Sequence, residues 1–113
     1  MMKITTDELR EALGGVVVAP GDENSYISDG YMCDLLSFVI GRAPAGSAWI
    51  TVIGNINTVA VAVLAEIPCI VLAENSELDP EALTRAKEND IAVIKTQKSA
   101  FDCAVTLGRL LSK

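Results

Sequence analysis

The chain has 113 residues, half of them apolar and only 4% aromatic, so a single domain with a core of Val, Ile, Leu and Ala is expected. A formal charge of −6 argues against a phosphate-backbone binder, which needs Lys and Arg to displace condensed counterions, and no basic run offsets it. With no His and three widely spaced Cys, neither a structural zinc site nor a His-based triad can be built, and no apolar stretch approaches the ~20 residues that span a bilayer.

Taken in order, the first element is a helix. Thr5-x-x-Glu8 is a capping box, Ile4 and Leu9 are spaced as a hydrophobic staple, and Leu9, Ala12 and Leu13 form one face. Gly14-Gly15 stops it. Val16, Val17 and Val18 predict a buried strand over 15–19, followed by a turn at Pro20-Gly21-Asp22-Glu23-Asn24. Residues 25–33 admit two readings, a strand through Tyr26, Ile27, Tyr31 and Met32 or a chain turned at Asp29-Gly30. Beyond Asp34, the residues Leu35, Leu36, Phe38, Val39 and Ile40 predict a short buried helix ending near Gly41, with a loop over 42–46.

The second half is more regular. Residues 48–53 form an apolar strand, broken at Gly54-Asn55-Ile56-Asn57. Residues 58–66 are rich in Ala and Val and apolar on nearly every side, which predicts a helix buried all round. Pro68 ends that unit, and residues 69–73 form the next strand. Asp79-Pro80-Glu81 reads as an N-cap with Pro at the first helical position, the helix running to about Asn89 with Leu83 and Ala86 inward. Residues 91–95 are a strand, and Ser99-x-x-Asp102 caps a last helix whose apolar positions are Ala100, Cys103, Ala104, Leu107 and Leu111. Strands alternating with helices from Ala48 onward predict an α/β domain of two or three layers, with a mainly parallel sheet and right-handed βα units.

In such a sheet ligands bind beyond the carboxyl ends of the strands. Three polar loops are expected to converge there, 54–58, 74–76 and 96–99, each leading into a helix. Helix N-termini offer free N–H groups and partial positive charge to an anion. The candidate ligand-binding residues are Asn55, Asn57, Thr58, Glu74, Thr96 and Ser99, for a nucleotide or other small anionic metabolite. The competing reading is that these residues only cap helices and turn the chain. No Walker A sequence, no G-x-G-x-x-G after a strand and no Ser nucleophile elbow is present, so no catalytic residue, cofactor or metal is assigned. Asp22, Glu23, Asp29, Asp34, Glu74, Glu77 and Asp79 fall in loops or at helix starts, where acids are solvated or cap; Lys95 and Lys98 flank a strand end in the same way. Cys33, Cys69 and Cys103 lie in apolar contexts and are expected to be buried free thiols, which fits a reducing cytoplasm, and no secretory signal opens the chain. The large apolar fraction of so small a body points to self-association.

The stretch 49–64, followed by Cys69-Ile-Val-Leu-Ala-Glu and by Ala86-Lys-Glu-Asn-Asp-Ile-Ala-Val-Ile-Lys-Thr, resembles a DRTGG domain, and Ile4-Thr-Thr-Asp-Glu-Leu and Gly30-Tyr-Met-Cys-Asp-Leu-Leu-Ser fit the same pattern. Such domains are similar to the N-terminal domain of HPr kinase/phosphorylase and occur as accessories beside CBS modules in some pyrophosphatases. With the apolar excess and the absence of catalytic motifs, the resemblance implies a single regulatory domain over 1–113 with no established catalysis, stand-alone and homodimeric, serving a separately encoded enzyme; the acidic charge and the lack of a basic amphipathic stretch set nucleic acid and membrane aside as partners. The namesake Asp, Arg, Thr and Gly-Gly are missing near Asn55-Ile56 and Ala73-Glu74-Asn75, so no ligand read by those residues carries over.

Overall fold

The computed structural model describes residues 2–113. In chain order the elements are α1 (Thr6–Leu13), β1 (Val16–Pro20), β2 (Asp29–Met32), α2 (Leu36–Arg42), β3 (Ser47–Thr51), α3 (Ile56–Leu64), β4 (Cys69–Leu72), α4 (Pro80–Glu88), β5 (Ala92–Lys95) and α5 (Ala100–Leu110). The five strands form one sheet in the order β1-β5-β4-β3-β2. Strands β2 to β5 run parallel, as the βα alternation predicts, while β1 joins the edge antiparallel to β5.

Side-chain alternation divides the core in two. Ala48 and Ile50, Cys69 and Val71, and Ala92 and Ile94 point to one face, where they meet Leu9 and Leu13 of α1 and Cys103 and Leu107 of α5. Trp49, Ile70, Leu72 and Val93 point to the other, against Val39 of α2, Val59 and Ala62 of α3, and Ala82 and Ala86 of α4. The result is a three-layer sandwich with two helices on one face and three on the other. Trp49 is the largest fully buried side chain, and its Nε1–H donates to the Cys33 carbonyl at 2.8 Å.

The helix signals of the first and last elements are realised in detail. Thr5 and Glu8 exchange both capping-box bonds at 3.1 Å. Ile4 and Leu9 are both buried, and Ile4 is tied to Ile27 by an antiparallel bridge. Ser99 Oγ accepts from the Asp102 amide at 3.0 Å.

Several expectations need correction. Residues 16–18 do not form a buried strand: β1 is an edge, its register slips between Val17 and Ala19, and Val16 is 66% exposed. The ambiguous segment 25–33 resolves into a strand at Asp29–Met32. Helix α2 is only partly buried: Val39 is enclosed and Leu36 packs half-buried against the core, while Leu35, Phe38 and Ile40 face out. Helix α3 starts two residues earlier than predicted and is not buried all round, because Val63 and Leu64 are exposed. Asp79 precedes α4 without a side-chain capping bond. Cys69 and Cys103 are buried, whereas Cys33 is only half-buried. Burial pushes the Cys69 thiol up to about 12 and the Cys103 thiol up to about 11, the latter eased by Lys98 and raised further by Asp102 and Glu74. A thiol reagent at about pH 8 is therefore expected to modify Cys33 alone in the folded protein and all three cysteines after denaturation; mass spectrometry of the labelled peptides checks this.

Candidate functional site

The carboxyl edge of the parallel strands is built from loops that close on one another. After β4, Glu74 and Asn75 both take left-handed backbone conformations, with φ of 58° and 57°. This double reversal turns their amides toward the loop after β5: the Glu74 N–H donates to the Lys98 carbonyl and the Asn75 N–H to the Thr96 carbonyl, each at 2.8 Å. The Glu74 carboxylate reaches on to the start of α5, where its Oε2 accepts from the Ala100 amide at 3.0 Å. Together with Ser99, it fills the helix N-terminus with the chain's own acceptors.

The loop after β3 is tied elsewhere. Gly54 forms a parallel bridge to Leu78, and its carbonyl accepts from the Asp79 amide at 2.8 Å. Asn55 is the N-cap of α3, its Oδ1 accepting from the Asn57 amide at 3.0 Å and the Thr58 amide at 3.1 Å. Thr58 is buried, and its hydroxyl donates to the Ile53 carbonyl at 2.7 Å. Thr96 is likewise buried; its hydroxyl donates to the Leu13 carbonyl at 2.9 Å and accepts from the Lys98 amide at 3.2 Å.

Of the six sequence-predicted residues, Glu74, Thr96 and Ser99 thus meet around the start of α5, while Asn55, Asn57 and Thr58 cluster at the start of α3. One residue of each group, Asn55 and Thr96, lines a hollow, and the two hollows are different. Asn55 faces one of about 430 Å³ shared with Asp79 and Glu81, an acidic lining. Thr96 faces one of about 600 Å³ shared with Asn75, Lys95, Gln97 and Lys98. Lys95 is paired with Glu77, whereas among the described residues Lys98 takes part in no ion pair.

Asp34 and Asp29 are more engaged than solvated loop residues would be. Asp34 Oδ1 accepts from the Thr51 hydroxyl at 2.6 Å and the Val52 amide at 3.2 Å, holding the end of β3. The Lys113 ammonium and the Gly30 amide hold the Asp29 carboxyl below its ordinary range. Asn75, Gln97 and Lys98 lie in the loops the sequence marks, but they and Asp34 are not singled out there as binding residues, because nothing in their spacing separates them from other loop residues.

The chain matches the DRTGG domain family over residues 2–110, nearly its whole length. It belongs to the DRTGG domain family. This DRTGG domain is similar to a crystal structure of the CBS and DRTGG domains of the regulatory region of Clostridium perfringens pyrophosphatase, complexed with the activator diadenosine tetraphosphate. The TM-score is 0.78 at 14% sequence identity, a likeness of fold, and the match covers 96% of this chain. The DRTGG domain described here spans 46% of that pyrophosphatase chain. No curated protein matches it by sequence. None of its helices, among the described residues, is long and apolar enough to cross a membrane.

The capping role of Glu74 has a measurable cost. Replacing Glu74 by Ala is expected to lower stability by about 1 kcal/mol, by removing an acceptor from the first turn of α5. Glu74→Gln, which keeps a carbonyl oxygen in place, is expected to lose less than half of that. Urea denaturation of both variants checks the ranking.

Proposed function

We propose that this DRTGG domain is a non-catalytic regulatory module, working in the cytoplasm as a stand-alone homodimer alongside a separately encoded enzyme. The observation that carries the reading is a contrast in how the two kinds of side chain are used. The polar groups of Asn55, Thr58, Glu74, Thr96 and Ser99 are engaged by the chain's own backbone, while apolar side chains on α2 and α3 stay uncovered. Polar atoms already spent on the fold leave little to drive chemistry, and uncovered apolar surface favours association. The kinship supports an accessory role, since the similar pyrophosphatase domain lies in a regulatory region. Light scattering at micromolar concentration tests the dimer: the expected mass is twice the 12.0 kDa of the chain, and a mass of 12.0 kDa overturns it.

A second reading, a sensor for a nucleotide or other anionic metabolite at the carboxyl ends of the strands, is favoured by one observation. Lys98 makes no ion pair among the described residues and lines the hollow that holds Thr96, Asn75 and Gln97. Because Glu74 already occupies the start of α5, an anion there would sit beside the helix end, on Lys98, and not on it. Adenine nucleotides and dinucleoside polyphosphates at about 100-fold over Kd would add about 2.7 kcal/mol to stability. A rise in Tm that Lys98→Ala removes supports the sensor; a flat response across the panel rejects it.

A further inference from the structure

Helix α3 has the sequence Ile-Asn-Thr-Val-Ala-Val-Ala-Val-Leu, without a single charge. A helix so apolar is ordinarily enclosed, yet the fold covers only the side carrying Thr58, Val59, Val61 and Ala62. Its outer side presents Ala60, Val63 and Leu64, the last 71% exposed. Between α3 and α4 runs a groove of about 330 Å³ with Ala60 as its small residue, flanked by Ile56, Val63 and Leu64 and closed by Arg85 and Asn89. Helix α2, packed beside α3, carries exposed Ile40 and Phe38, the Phe38 ring lying under the Arg42 guanidinium at 3.8 Å.

Resting on the homodimer reading, we infer that this face is the interface, with α3 of one copy crossing α3 of a second about a twofold axis and each Leu64 seated in the groove over the other's Ala60. Two features select a second copy of this chain as the occupant. Knob and groove lie on the same face, Leu64 standing at the edge of the groove that Ala60 lines, so the surface can meet itself under a twofold, as an isologous contact requires. Each copy also carries −6, and α3 is where two such acidic bodies can approach without opposing carboxylates.

The test compares the wild-type chain with Leu64→Glu, Ala60→Glu and, as a control on the opposite face, Phe101→Glu, whose side chain is also 71% exposed. Sedimentation equilibrium gives the dissociation constants, and circular dichroism reports folding. The expected result is a wild-type dimer, weakening of at least about 30-fold in both α3 variants, and no change in Phe101→Glu. All four proteins are expected to keep the same helical spectrum. A wild-type dimer that survives both α3 substitutions, or that only Phe101→Glu disrupts, overturns the interface and leaves the homodimer standing. A wild-type monomer overturns the homodimer itself.

Discussion

Gly54→Ala is expected to destabilise the protein by about 3 kcal/mol, a fall in Tm of roughly 10–20 °C. A Cβ at Gly54 would lie 2.1 Å from the Glu77 carbonyl oxygen and 3.0 Å from the Leu78 Cα. Both are main-chain atoms, so no side-chain rotation relieves the overlap. Nor can the segment withdraw at little cost, because Gly54 and Leu78 are bridged and the Asp79 amide is bonded to the Gly54 carbonyl at 2.8 Å. The loop after β3 and the approach to α4 are therefore held together by the absence of one methyl group. Gly108→Ala is the control. There a Cβ meets nothing within 4 Å, and the helix interior of α5 favours Ala over Gly, so a gain of up to ~1 kcal/mol is expected. Thermal melts of the two variants should move in opposite directions.

Trp49→Ala is expected to cost 3–5 kcal/mol, about the range for truncating a buried aromatic side chain. The indole is fully buried at the centre of β3, in the cluster that joins the sheet to α2, α3 and α4. Its N–H also anchors the Cys33 carbonyl, fixing the passage from β2 into α2. Trp49→Phe separates the two contributions. It keeps most of the packing but leaves that carbonyl without its indole donor, a loss of about 1–3 kcal/mol. Urea titrations followed by circular dichroism give both values. A Trp49→Phe protein as stable as wild type would mean that the indole hydrogen bond contributes nothing net.

What could be read from the residues beforehand was the local chemistry. The Thr5/Glu8 box, the Ser99 cap and the continuous apolar strand at 48–53 each specify their own geometry, and the βα order after Ala48 specifies parallel pairing. Burial of α2 and α3 was not legible in the same way. An apolar helix states that its surfaces want cover, but not whether the same chain supplies it. The Val16–Val18 run had a similar ambiguity, since β-branched residues suit an edge strand as well as a central one. Asp29-Gly30 carries turn chemistry, yet it lies in β2, where a Cβ at Gly30 would come within 2.5 Å of Leu107 Cδ2 and push that side chain aside. That contact depends on how α5 packs and has no local signature.

The strand-end loops show the same limit. Asn, Thr and Ser at the start of a helix serve a ligand or the helix itself with the same atoms, and only coordinates reveal which partners those atoms have. Glu74 is the clearest case. Its capping bond depends on two successive left-handed residues, Glu74 and Asn75, and Glu gives no advance sign of that conformation.

At the centre of this view is a division of labour: polar loop tips spent on closing the fold, and an uncharged helical face left for association. A dilution series of amide NMR spectra tests it most directly, because every residue reports separately. We expect concentration-dependent shifts confined to α2, α3 and the facing turn of α4, with the loops at 74–76 and 96–99 unmoved. Spectra independent of concentration, or shifts centred on those loops, would contradict it.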